Sequence, residues 1–271
     1  MLIGLLGPVV VHGEEERTQA LEHRARSVLA ALTLHVGQEV TQEQLATLIW
    51  DQVPSGAASN IRTYISHLRK ILRHAGVCSE TVTSVRGGKG SGGYRLNISP
   101  SEIDLFVFHR LLDDGQTALA TNEVREAEAK LSAALALWRG PAGGPDVSGA
   151  GSLMEWLGAH NRLRVAAQED LTEVRLQLGR HSVLIPHIRA VLAHHPYRER
   201  SWGQLARACY FAGDLVGALD TFGQARAVLV GDLGVEPGPD LQAIHSAILN
   251  RAEDALRHLR CSLVSHAHTS T

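Results

Sequence analysis

Residues 55–76 contain no carboxylate, and their apolar side chains fall on a single helical stripe. At about 100° per residue, Ile61, Ile65, Leu68 and Leu72 stack on one side, flanked by Tyr64 and Ile71. The opposite side collects Arg62, Thr63, Ser66, His67, Lys70 and Arg73. The stripe must be buried against other elements. The polar side needs another explanation, because the whole chain carries a net charge of -2. A surface helix in such a chain ordinarily includes Glu, for i,i+4 pairs and for solubility. A cationic face with no acid in it is suited to an anionic partner.

The neighbouring segments give this helix its setting. Residues 24–35 place Val28, Leu29 and Leu32 at helical spacing, continued by Val36, and Gly37 stops the run. Thr41 and Gln44 form a capping box, with Val40 and Leu45 at the staple positions. Leu45, Leu48 and Ile49 continue a buried face that ends at Trp50, and Pro54 forbids further helix. Ser55 is placed to cap the third helix, which runs through about Leu72. Residues 82–85 read as a strand, 86–93 as a glycine-rich turn and 94–98 as a returning strand, together a hairpin. Residues 2–11 read as an opening strand rather than a signal peptide, with a second short strand near 18–22. Strand, three helices, hairpin is the plan of a winged helix-turn-helix. Pro100 and Ser101 mark a domain boundary.

Charge is distributed to match. Residues 55–97 hold seven basic side chains (Arg62, Arg69, Lys70, Arg73, Arg86, Lys89 and Arg95) against Glu80 alone, whereas residues 98–271 are net acidic. A basic patch confined to one segment suits phosphate contact. All seven are candidate DNA contacts, with Thr63, Ser66 and His67. Arg62 is placed to reach base edges, Lys70 and Arg73 to hold the helix on the backbone. A flexible wing carries Arg86 and Lys89 towards a minor groove or phosphates. Gly88, Gly90 and Gly93 match a dinucleotide-binding spacing, but a strand follows them where that site needs a helix. Lys89 is followed by Gly90 rather than Ser or Thr, so a Walker A loop fails too.

From Asp104 onward the pattern is helical, broken by one Gly- and Pro-rich loop at 140–151. Trp202, Leu205 and Ala206, followed by Ala218, Phe222 and Ala225, have the tetratricopeptide spacing of large anchors and small contact residues. One period of 34 residues earlier stand Leu184, Ile188 and Val191, and Ala127, Leu131 and Ala134 repeat the packing theme. Such stacks present a protein-binding face. Cys78, Cys209 and Cys261 are isolated, and the 15 His show no metal-ligand spacing. No metal, no cofactor and no catalytic constellation is expected, nor any membrane helix.

Several stretches resemble one known family, the Streptomyces antibiotic regulatory proteins. In the first half these are Leu6-Gly7-Pro8-Val9, the basic pair Arg24 and Arg26, Val40-Thr41 through Leu45, Ile49-Trp50 with Pro54, Ile61-Arg62-Thr63-Tyr64-Ile65-Ser66 with Leu68-Arg69, and Gly93-Tyr94-Arg95-Leu96. In the second half they are His195-Pro196-Tyr197-Arg198-Glu199-Arg200-Ser201-Trp202 and Leu233-Gly234-Val235-Glu236-Pro237-Gly238-Pro239. The resemblance implies an OmpR-type DNA-binding domain over 1–99, with Arg24 and Arg26 among its DNA contacts. It implies a bacterial transcriptional activation domain over 100–251, with 252–271 left as a disordered tail. It further implies a homodimer on direct-repeat promoter DNA. The connection Asp51, Gln52, Val53 and Pro54 would face RNA polymerase, at sigma region 4 and neighbouring subunits. The wing departs from the family pattern in its longer glycine-rich tip.

The fold expected is mainly α: a winged helix-turn-helix (α+β) followed by an all-α, tetratricopeptide-like domain. The function expected is not enzymatic. It is a cytoplasmic, nucleoid-associated transcriptional activator for a secondary-metabolite cluster. Two other readings stand beside it, a repeat-type interaction adaptor and a ligand-sensing repressor whose helical domain would hold an apolar pocket.

Overall fold

The computed structural model describes residues 2–13, 18–19, 21–76, 79–86, 92–145 and 147–259. These form two compact units, one of Met1–Leu112 with Ala133–Arg164, the other of Asp113–Ser132 with Val165–Thr271.

The first unit opens on a small antiparallel sheet. Strand β1 (Ile3–Gly4) pairs with β2 (Val10–His12), which pairs with β3 (Thr18–Gln19). The single strand expected over 2–11 is therefore two, because the chain turns back between them at Gly7 and Pro8. Gly7 has a φ of 143°, a region that glycine enters freely. Helix α1 (His23–Leu34) follows, then strand β4 (Glu39–Thr41), α2 (Gln42–Ile49) and α3 (Ala57–His74). The capping box at α2 forms as its sequence requires: Gln44 N–H donates to Thr41 Oγ1 at 3.1 Å, and Thr41 N–H to Gln44 Oε1 at 2.9 Å. Such a cap stabilises a helix by about 1 kcal/mol. The expected Ser55 cap of α3 does not form. Gly56 occupies that position with no side-chain bond, because the chain turns there, with Ala57 N–H donating to Pro54 O at 3.0 Å.

The wing strands are β5 (Val82–Val85) and β6 (Gly93–Leu96), and β4 closes a three-stranded sheet in the order β4-β6-β5. Strand β4 was not legible beforehand, since its three residues also hold the α2 cap. Gly93 has a steric reason: a Cβ there would stand 2.8 Å from Val40 O on β4. Ile61, Ile65, Leu68 and Leu72 of α3 are buried with Val28, Leu29 and Leu32 of α1 and Leu45 and Ile49 of α2. Each such side chain contributes about 1.5–3 kcal/mol by leaving water.

This unit reaches past Pro100. Asp104, at the start of α4 (Asp104–Ala120), is 2% exposed. It accepts Leu5 N–H at 2.7 Å and Leu6 N–H at 3.0 Å, and pairs with Arg139 at 3.1 Å. Arg139 follows helix α5 (Val124–Ala136). The 140–151 loop is pinned too: Gly143 N–H donates to Leu5 O (2.8 Å), Ala150 N–H to Leu48 O (2.9 Å) and Ser27 Oγ to Ser148 O (2.6 Å). Phe108 stacks edge-on against Trp138, with ring centroids 5.3 Å apart.

Among the described residues the second unit's regular structure is all helical. It takes parts of α4, α5 and α6 (Gly151–Gln177), then α7 (His181–His194), α8 (Glu199–Phe211), α9 (Leu215–Val228), α10 (Pro239–Leu249) and α11 (Glu253–His258). Leu184, Ile188, Trp202, Leu205, Ala206, Ala218 and Ala225 share one core, as the repeat spacing requires. Val191 is only half-buried, and Leu192 fills the core beside it. Cys209 is fully buried there. Helix α11 lies inside the stretch 252–271 expected to be disordered. Six residues show little periodicity, yet Leu256 is fully buried and Arg257 lies over Phe211, 4.9 Å from the ring centroid. Residues 260–271 lie outside the described residues.

Candidate nucleic-acid interface

Helix α3 presents a continuous polar row. Ser59, Arg62, Thr63, Ser66, Lys70 and Arg73 are all exposed, at spacings of three and four that keep them on one side. The first turn holds no acid and the last turn ends in Arg73 and His74. Two members are steadied by their own helix: Arg62 Nε donates to Ala58 O, and Thr63 Oγ1 to Ser59 O, both at 3.2 Å. His67 is partly exposed, with Nδ1 3.3 Å from Glu22 Oε2. Ser59 and the equally exposed Asn60 were missed in the sequence. They lie in the same acid-free run, and an Asn on that face has the donor-acceptor pair that reads adenine.

Four of the basic candidates sit elsewhere. Arg69 turns from the row toward the wing: its Nε donates to Val82 O at 2.8 Å and its Nη2 to Ser84 Oγ at 2.9 Å, while its guanidinium lies 5.9 Å from the Tyr94 ring centroid. Those bonds tie α3 to β5. Arg24 donates from Nη1 to Ile49 O (3.3 Å) and Ser148 Oγ (3.1 Å). Arg26 is half-buried on α1. Arg95 is half-buried on β6, opposite Glu39 of β4 and Thr83 of β5. Arg86 is exposed where β5 ends; Lys89 and the rest of the wing tip, 87–91, lie outside the described residues. The α2–α3 connection, Asp51, Gln52, Val53 and Pro54, is exposed throughout, with Val53 at 50%. Trp50 at its edge is half-buried beside Tyr64, centroids 6.4 Å apart.

In the second unit the two motif stretches are tied into the scaffold. Glu169, Asp170 and Glu173 of α6 are each about 2% exposed. Arg198 makes a bidentate bond to Glu169, Ser201 Oγ donates to Glu169 at 2.7 Å, Arg200 to Asp170 at 2.6 Å and Arg207 to Glu173 at 2.8 Å. Bonding to Glu169 raises the pKa of Arg198 further above its ordinary value. Trp202 Nε1 donates to Pro196 O at 2.7 Å. Glu199 accepts Gly238 N–H at 2.6 Å, so the stretch ending at Trp202 holds the stretch ending at Pro239. The sequence did not announce this network, because its acids lie some thirty residues from their cations. Among the described residues no cluster suited to a metal is present, and no helix is long and apolar enough to cross a membrane.

Comparison with known proteins agrees with this anatomy. Residues 16–96 match the family described as transcriptional regulatory protein, C terminal, and residues 103–249 match the bacterial transcriptional activator domain. Regulatory protein DnrI of Streptomyces peucetius is 32% identical over 256 residues, 92% of each chain. The chain belongs to the Streptomyces antibiotic regulatory protein family. Other relatives extend further. The transcriptional regulatory protein EmbR of Mycobacterium tuberculosis is 33% identical over 92% of this chain, which spans 63% of EmbR. Regulatory protein AfsR of Streptomyces coelicolor is 31% identical over 97% of this chain, which spans 26% of AfsR. A solved structure of M. tuberculosis EmbR, in complex with a low-affinity phosphopeptide, superposes with a TM-score of 0.83 over 94% of this chain and 68% of that one, at 32% identity. The OmpR-type and activator-domain architecture of this antibiotic regulatory protein family member, mainly helical with two small N-terminal sheets, is thereby established.

Proposed function

We propose that this family member is a sequence-specific activator of a secondary-metabolite gene cluster, acting in the cytoplasm on promoter DNA. The carrying observation is the acid-free, exposed row on α3 within a winged helix-turn-helix. In this reading the N-terminal half of α3 enters the major groove, where Arg62 reads a base edge and Ser59, Asn60, Thr63 and Ser66 line the groove. Lys70 and Arg73 neutralise phosphates, as does Arg86 from the wing. The activity divides between residues 1–99, which bind DNA, and 100–251, which support activation. Two copies bind a direct repeat, and the exposed connection Asp51, Gln52, Val53 and Pro54 meets RNA polymerase near sigma region 4. Support for the activator over the repressor reading comes from family membership and from that open connection.

The test is footprinting with the purified chain across its own genome, followed by transcription with purified polymerase from the promoters found. The expected result is discrete sites built as direct repeats and increased transcript. Lowered transcript at every bound promoter would overturn the activator reading, and absence of discrete sites would overturn sequence-specific binding.

A further inference from the structure

A cleft of about 240 Å³ opens in the second unit, bounded by the end of α6, the start of α7, the end of α8 and helix α11. Among the described residues, none of those lining it is acidic. Arg207 and Arg257 face it, with His181 and His258. Three lining side chains, Gln177 (Nε2), His181 (Nδ1) and Arg207 (Nε), each hold a buried nitrogen with no hydrogen-bond partner among the described residues. Arg207 is itself 2% exposed. Buried polar groups are nearly always satisfied, so three orphans around one cleft ask for an occupant.

We infer that this cleft is a binding site for a small organic anion, a carboxylate or phosphate ester carried on a short apolar body. The charge argument is local. Glu173 meets Arg207 through Nη1 alone, and Glu253 is 4.0 Å from Arg257 with both side chains largely exposed. Arg207 is thus paired but keeps an unpartnered Nε–H, and the positive charge left weakly compensated at the cleft is that of Arg257. Burial, then Arg257 and Arg207, lowers the pKa of His181, as expected of a ring held among cations. One wall is apolar: Leu176, and Phe211 with His181 stacked on it at 4.9 Å between centroids. The size decides against larger ligands, because drug-sized pockets run to roughly 300–1,000 Å³. The site expected for a ligand-sensing regulator was apolar; this one is cationic. It is independent of the DNA-binding reading, since every lining residue lies in the second unit.

The test is calorimetric titration of the full chain with inorganic phosphate, citrate and phosphoglycolate, at constant ionic strength set by chloride. At least one anion should bind one per chain, with a Kd below about 1 mM. Arg257→Ala and Gln177→Leu, the first largely exposed and neither part of the ion network, should each weaken that binding about tenfold. Lys70→Ala, on the DNA-facing row, should leave it unchanged. Weaker binding than this by all three anions would overturn the proposal. So would an affinity unchanged from the parent in both cleft variants, or a loss confined to Lys70→Ala.

Discussion

Asp104→Ala should loosen the whole first unit, although Asp104 lies outside the residues that read as the DNA-binding domain. The carboxylate is 2% exposed and accepts the backbone N–H groups of Leu5 and Leu6, both fully buried. Removing it orphans two buried donors, at about 1–3 kcal/mol each. Arg139 is about one-third exposed and loses a pair that water largely replaces, which adds under about 1 kcal/mol. Relief of the carboxylate's own desolvation offsets part of the loss. A net cost of about 3 kcal/mol remains, or about 6–12 °C in Tm for a chain of this size. Scanning calorimetry of the full chain reads it directly. Asp104→Asn keeps one accepting oxygen and should fall between the variant and the parent. A shift of less than about 2 °C for Asp104→Ala would refute the reasoning, because the N–H groups of Leu5 and Leu6 would then have another partner. By the same logic a fragment ending at Pro100, which also lacks Arg139 and the pinned loop, should bind DNA only weakly through instability.

Arg62 and Arg69, both on α3, should separate by assay. Arg62→Ala should leave Tm within about 1 °C and cost about 1–3 kcal/mol of discrimination at one base pair, read by binding to site variants. Arg69→Ala should cost about 1–2 kcal/mol of stability, seen in urea unfolding, because two bonds to β5 are lost. Lys70→Ala should lower the log-log salt slope of DNA binding by about 1 without changing sequence preference. Glu173→Gln should destabilise the second unit by about 3–5 kcal/mol, since it leaves the buried Arg207 guanidinium unpaired. Stability should also fall as pH drops below about 6.5. Burial lowers the pKa of His12, His160, His181 and His245, so below the ordinary histidine value of 6.5 the unfolded chain takes up protons that the folded chain refuses. That contribution is whole above 6.5 and is lost progressively down to the folded pKa values. A Tm unchanged from pH 7.5 to 5.5 would contradict it.

The first hundred residues were legible because their signals are local. The Thr41–Gln44 box, the stop at Pro54 and the stripe from Ile61 to Leu72 each depend on residues within a few positions of one another. The polar row of α3 came from the same wheel. What failed was long-range. Arg69 sits one position from Lys70, and no local pattern says that it turns to Val82 while Lys70 stays in water. Arg24 looked like part of a basic pair, yet its partner Ser148 lies 124 residues on. Asp104 passed as the start of the next helix. A side chain committed to a distant backbone group leaves no periodic trace in the sequence.

The same distinction bears on what family membership can predict for the second half. The two stretches that carry its resemblance are spent on the scaffold. Arg198, Arg200 and Ser201 meet the acids of α6, Trp202 closes on Pro196, and Glu199 caps the backbone at Gly238. None of these side chains lines the cationic cleft, whose residues, Gln177, His181, Arg207 and Arg257 among them, fall outside both stretches. Matching those motifs therefore fixes how the helices pack and leaves the cleft free to differ. A relative that shares both motifs but lacks Arg257 should fold alike and bind the anion about tenfold more weakly. The cleft residues lie outside both motif stretches, so the anion titration tests the cleft without disturbing the packing that those stretches hold.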